Sequence, residues 1–203
     1  MRGSRERRLD LTNTEVSRPT YLAILFLALV ASARAGIDFT PTAGERVLEG
    51  IVFKQIVFHQ NGRPITYEQP RGWTFTGSAA AIKFSPPDVS QAQATMEQSP
   101  LPEPQVFDEA TTARLREQVL TSVPNGAQNV ALVGEENNPL PINQRETYAV
   151  TVSYDFYGEA YQASVLFVNL ADTQLRFRTV ARKADFEKVH RAFRASLFTL
   201  AWQ

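Results

Sequence analysis

Three consecutive alternating runs between Glu146 and Arg182 constrain this chain more than any other feature. The first, ETYAVTVSYDFYG, sets Tyr148, Val150, Val152, Tyr154 and Phe156 against Thr147, Ala149, Thr151, Ser153 and Asp155. Side chains of an extended strand alternate between its faces, so a period of two reads as a β-strand. EAYQASVLFVNL and QLRFRTVAR follow as two more strands, across short turns at Tyr157-Gly158-Glu159 and Ala171-Asp172-Thr173. Connections this short join antiparallel neighbours. The middle run is apolar on both faces, with Val165 and Phe167 on one and Leu166, Val168 and Leu170 on the other. Such a sheet has to be covered on both faces. The expected fold is therefore α+β, an α/β/α sandwich with helices on both faces of a central antiparallel sheet.

Two segments supply those helices. In FDEATTARLREQVLTSVPNG, Asp108 is placed to cap, Glu109 suits the first turn, and Leu115, Val119, Leu120 and Val123 form an apolar stripe. Pro124-Asn125-Gly126 stops it. In DFEKVHRAFRASL, Asp185 is the expected cap, and Phe186, Val189, Phe193 and Leu197 recur at helical spacing.

Upstream the signals are shorter. Ile51 and Phe53, then Ile56 and Phe58, predict a strand with a break or bulge, and QNGRP (Gln60 to Pro64) predicts a turn. YEQPRGWTFTGSAAAIKFSPP, Tyr67 to Pro87, reads as a meander: Trp73 and Phe75 share one face, Gly77-Ser78 turns, and Ile82 and Phe84 alternate with Lys83 and Ser85. Pro86-Pro87 then interrupts the ladder. Trp73 reads as a core anchor, not a ligand platform. Ala92 to Gln98 offers another strand, SPLPEPQ a connector, NVALVGEE a strand and NNPLPIN a loop. Residues 36–50 have few periodic apolar positions and read as a flexible leader to one domain spanning 51–203.

The beginning of the sequence reads as an export signal spanning residues 1–35. RGSRERR is a charged start, Tyr21 to Ala33 an apolar run, and Ala33-Arg34-Ala35 a small-x-small cleavage triplet. That run is too short to span a bilayer, which takes about 20 apolar residues. Cleavage is expected after Ala35, giving a soluble product in a periplasm, thylakoid lumen or extracellular space, and the alternative is an uncleaved membrane anchor. The sequence contains no cysteine, which excludes disulfides, thiolate metal sites and a cysteine nucleophile. Six of the 21 basic and three of the 21 acidic side chains lie in residues 1–35, so the remainder is mildly acidic. That balance is not the basic excess of a nucleic-acid binder.

The order of these elements resembles the PsbP-like superfamily, which includes the photosystem extrinsic protein PsbP, the yeast Ran-binding protein Mog and exported bacterial proteins related to DcrB. The residues carrying the resemblance are Pro70, Gly72-Trp73, Ile82 to Pro86, the helix after Asp108, Tyr148 to Arg182, and Asp185-Phe186 through Ser196-Leu197. They cover roughly Phe53 to Phe198. The resemblance implies a binding or assembly-assisting domain and brings no metal or catalytic residues with it.

The chemistry-bearing residues point the same way. No G-x-x-x-x-G-K, H-E-x-x-H or G-x-S-x-G motif is present, so no enzyme class and no cofactor is expected. His59 and His190 are far apart in sequence, and His190 beside Lys188 and Arg191 reads as part of a solvated helix face. Glu135-Glu136 and Asp155 stand as a carboxylate pair or as solvated acids. Arg176, Arg178 and Arg182 share strand parity, with Lys183, Lys188, Arg191 and Arg194 downstream. Two readings stand: a partner-binding basic face for an acidic protein or anionic surface of the cell envelope, or a solvated strand edge and helix exterior. The expected function is an exported, non-enzymatic binding or assembly-assisting domain. The alternative is a carrier of a small apolar ligand in a cystatin-like or NTF2-like cone, and an unrecognised hydrolase is the third reading.

Overall fold

The computed structural model describes residues 36–203. The expected export signal lies outside the described residues. Six strands come first: β1 (Ile37–Leu48), β2 (Ile51–Gln60), β3 (Arg63–Tyr67), β4 (Thr74–Gly77), β5 (Ala81–Ser85) and β6 (Gln93–Pro100). Helix α1 (Glu109–Thr121) follows, then β7 (Gln128–Asn137), β8 (Thr147–Phe156), β9 (Glu159–Asn169) and β10 (Thr173–Arg182). Helix α2 (Lys183–Ser196), a 3-10 turn (Leu197–Thr199) and β11 (Ala201–Trp202) complete the order. The described residues form an α+β fold with two antiparallel sheets, ordered β1-β2-β3-β11 and β4-β5-β6-β10-β9-β8-β7.

The alternation of the central meander is the one the core uses. Val165 and Phe167 of β9 cluster with Leu115 and Val119 of α1. Leu166, Val168 and Leu170 cluster with Phe186, Val189 and Phe193 of α2. The second cluster also takes in Phe39, Phe58, Ile65 and Tyr67 from the four-stranded sheet. The Tyr67 hydroxyl lies 2.6 Å from Ser196 Oγ and so joins that sheet to the end of α2.

Local signals explain the element ends. The Asp108 carboxylate accepts the Thr111 N–H at 2.8 Å, satisfying one of the free donors at the start of α1. For α2 the expected cap is corrected. The chain runs from β10 straight into the helix, Arg182 occupies the cap position, and no side chain caps it. Asp185 falls in the first turn, where it still meets the positive end of the helix dipole. Asn61-Gly62, at φ 53° and 75°, makes the two-residue turn between β2 and β3.

Three sequence expectations change. Residues 36–50 are not a loose leader: β1 pairs with β2 along its length, and Ile37 and Phe39 are buried. The Gln98 side chain accepts from the Ile37 N–H at 2.7 Å and donates to its carbonyl at 2.6 Å. Backbone pairing rather than apolar period holds this strand. The irregularity expected in β2 lies instead in β1, where the four-residue step from Asp38 to Thr42 faces the two-residue step from His59 to Val57. Trp73 sits just ahead of β4 and is buried as expected, but Phe75 is 40% exposed because β4 is an edge strand.

Candidate functional site

β10 is the central strand of the seven-stranded sheet, not an edge. This excludes the solvated-edge reading of its arginines. Leu175, Phe177 and Ala181 face the cluster that contains α2. Arg176, Arg178, Val180 and Arg182 take the other face, where Val180 joins the cluster that contains α1. In register across the sheet, Arg178 lies between Thr95 of β6 and Val165 of β9, and Thr95 in turn pairs with Lys83 of β5. The three arginines are thus a half-buried row, continued outward by an exposed lysine.

Their partners leave charge over. Arg176 lies 3.4 Å from Glu97 and Arg182 3.7 Å from Glu159, both loose pairs. Arg178 donates to the Ser122 carbonyl at the end of α1 at 3.3 Å, a position that favours a cation at a helix C-terminus. No carboxylate pairs with Arg178 or Lys83 among the described residues. The Nε atoms of Arg176, Arg178 and Arg182 are all buried without a hydrogen-bond acceptor. Buried donors of this kind are normally satisfied.

The row runs into an aromatic groove of about 450 Å³, lined by Val180, Tyr154, Tyr161, Phe156, Pro86 and Pro124. Tyr154 and Tyr161 stack at 5.7 Å, and the Tyr161 hydroxyl donates to the Gln91 side chain. Burial raises the Tyr154 hydroxyl pKa and keeps it neutral. At the tip of the β8–β9 hairpin, Tyr157 is 91% exposed at φ 50°, with its ring 4.4 Å from that of Phe156. Sequence reasoning placed a turn there and missed the aromatic cluster. The available signal was a tyrosine in a slot that favours asparagine.

The other candidates do not converge. Glu135 and Glu136 are neighbours on β7 and point to opposite faces. Glu135 accepts from Arg116 of α1 and, at 2.6 Å, from the Tyr148 hydroxyl. Glu136 accepts from Arg194 of α2 at 3.0 Å and 3.1 Å. A bulge at Val133 sets this parity, because Leu132 opposite Val152 and Gly134 opposite Thr151 insert one extra residue. Asp155 accepts from Asn129 at 2.7 Å instead. His59 lies in the four-stranded sheet and His190 on α2. Among the described residues no group of three or more acidic or histidine side chains gathers where it would hold a metal ion.

His190 is not on a solvated face. Its ring stacks on Phe186 at 5.1 Å, its Nδ1 is buried without a partner, and it borders a second groove with Glu136, Glu187 and Arg194. Burial, and then Arg194, depress its pKa, while Glu187 and Glu136 oppose them. The unfolded chain therefore binds this proton more readily than the folded one. Stability from neutral His190 is complete above the unfolded value, about pH 6.5, and is lost as pH falls toward the depressed folded value. The melting temperature is expected to drop across that window, and His190→Gln to flatten the drop. Equal drops in both proteins would assign the effect to another group.

No family model and no curated protein matches the chain. Several solved structures are similar to it. LpqN of Mycobacterium tuberculosis, described as involved in cell envelope biogenesis, has a TM-score of 0.49 and 14% identity over 82% of this chain and 91% of that one. A Pseudomonas aeruginosa protein of unknown function has a TM-score of 0.44 and 11% identity over 78% and 96%. The cyanobacterial PsbP of Synechocystis has a TM-score of 0.48 and 14% identity over 68% and 86%. Among the described residues no helix is long and apolar enough to cross a membrane.

Proposed function

We propose that this chain is an exported, non-enzymatic binding domain that holds an acidic protein segment along Arg176, Arg178 and Arg182. The observation that carries this reading is the row itself: three half-buried guanidiniums on one strand face, each with an unsatisfied Nε–H. The buried Nε atoms show that the row is short of acceptors, and the terminal guanidinium nitrogens are the donors that carboxylates of an extended segment can reach, in charge-assisted hydrogen bonds that are the strong ones. The recessed position of the row favours a narrow strand-like segment over a flat lipid surface. The side chains of Arg176 and Arg182 are only 28% and 36% exposed.

In this reading the seven-stranded sheet is the centre of an α/β/α sandwich, with α1 and α2 on opposite faces. Glu135 bound to Arg116 of α1, and its neighbour Glu136 bound to Arg194 of α2, support that arrangement. The space beneath α2 is filled by side chains such as Phe177, Phe193 and Leu197, leaving a cavity of about 10 Å³. That volume favours docking on the surface over carriage of an apolar ligand inside. Export rests on the Tyr21 to Ala33 run and the Ala33-Arg34-Ala35 triplet, and places the partner in the cell envelope or beyond it.

The test is fluorescence anisotropy of a labelled Asp/Glu-rich peptide, alongside sedimentation with phosphatidylglycerol vesicles. The expected result is peptide binding that weakens with salt and is lost when the three arginines become glutamine. Vesicle binding without peptide binding would overturn the reading in favour of a lipid surface.

A further inference from the structure

We propose that Tyr157, at the tip of the β8–β9 hairpin, is the aromatic anchor that grips the partner segment. This inference rests on the reading of the arginine row as the site of an acidic segment. It assigns that segment an apolar side chain beside its carboxylates.

Fold stability does not account for Tyr157. The side chain is 91% exposed, so it adds little to the core. Its φ of 50° lies in the left-handed region, where a bulky side chain is strained. Phe156 pairs with Glu159, so Tyr157 and Gly158, at φ 50° and 79°, are the two residues of a tight hairpin turn. That turn favours asparagine followed by glycine. The same chain uses Asn61-Gly62, at φ 53° and 75°, in the equivalent turn between β2 and β3. The ring meets only its chain neighbour Phe156 among the described ring contacts and is otherwise open, and strain held at so exposed a position points to a role outside the fold.

Placement says which function. The Tyr157 ring lies 4.4 Å from that of Phe156, and Phe156 lines the aromatic groove together with Tyr161 and Pro124. Val180 lines the same groove and stands between Arg178 and Arg182 on β10. Two acids flank the tip, but Glu159 lies beside Arg182 and Asp155 accepts from Asn129. Arg182 stands opposite Tyr161, which stands opposite Tyr154, so a segment whose carboxylates lie along Arg178 and Arg182 brings its next residues over Phe156 toward Tyr157 at the strand ends. Tyrosine is among the residues enriched at the hot spots of protein interfaces, where a partner buries the ring.

Tyr157→Asn separates the two roles, because it relieves the turn and removes the ring. Two labelled peptides serve as probes: an Asp/Glu-rich peptide, and the same peptide ending in leucine. The variant is expected to unfold at higher urea than the natural chain. It should bind the leucine-ended peptide about tenfold more weakly, and the purely acidic peptide as the natural chain does. Unchanged affinity for both peptides would overturn the anchor, as would a variant that unfolds at lower urea. Failure of the purely acidic peptide to bind the natural chain would instead refute the arginine row.

Discussion

Phe193→Ala is expected to lower the unfolding free energy by about 3–5 kcal/mol, the range for truncating a buried phenylalanine. Phe193 is 1% exposed in the larger core cluster. Its ring stacks on Trp73 at 6.4 Å and 10°, and meets Phe84 at 6.0 Å. The residue thus joins α2 to the segment before β4 and to β5, three pieces distant in sequence. Aromatic pairs contribute about 0.5–1.5 kcal/mol beyond their buried area. A double-mutant cycle with Trp73→Ala should accordingly depart from additivity, since residues in contact couple. Urea melts decide the matter. A loss below about 1 kcal/mol for Phe193→Ala would contradict the packing of α2 on the sheet.

Arg178→Gln carries the second large effect, on binding. Among the described residues no carboxylate pairs with Arg178, so its removal strands no anion. Removal of Arg176 or Arg182 would instead free Glu97 or Glu159. The melting temperature should therefore change little. Affinity for an acidic peptide should fall about tenfold, or about 1.4 kcal/mol. Salt should weaken the natural chain more than the variant, because the Debye length shrinks from about 10 Å at 0.1 M. Equal affinity and equal salt dependence of the two proteins would contradict the site.

Much of this fold was legible because one strand carried the pattern. Val165 and Phe167 opposite Leu166, Val168 and Leu170 predicted the two clusters that α1 and α2 join. Trp73 was legible as a core residue, because a large aromatic flanked by turn signals has few other uses. β1 was not legible, because ladder hydrogen bonds and the Gln98 side chain hold it, and neither leaves a hydrophobic period. The site was half legible. Parity placed Arg176, Arg178 and Arg182 on one face, but strand order alone put β10 at the centre of the sheet. His190 misled because its sequence neighbours are charged, while the helix turn at Phe186 covers its ring. Glu135 and Glu136 separate because neighbours on a strand alternate faces, while which of them meets α1 depends on a bulge that no local sequence signal marks.

The central claim is that one face of the sheet, from the arginine row to the β8–β9 turn, is where this protein holds its partner. Amide chemical-shift mapping during titration with the acidic, leucine-ended peptide tests it most directly. The expected shifts are concentrated on β10 at Arg176 to Arg182, on Lys83 and Thr95, and on Tyr154 to Gly158. Shifts concentrated instead on Glu187 to Arg194 of α2 and on Glu136 would contradict it and move the site to the groove beside His190.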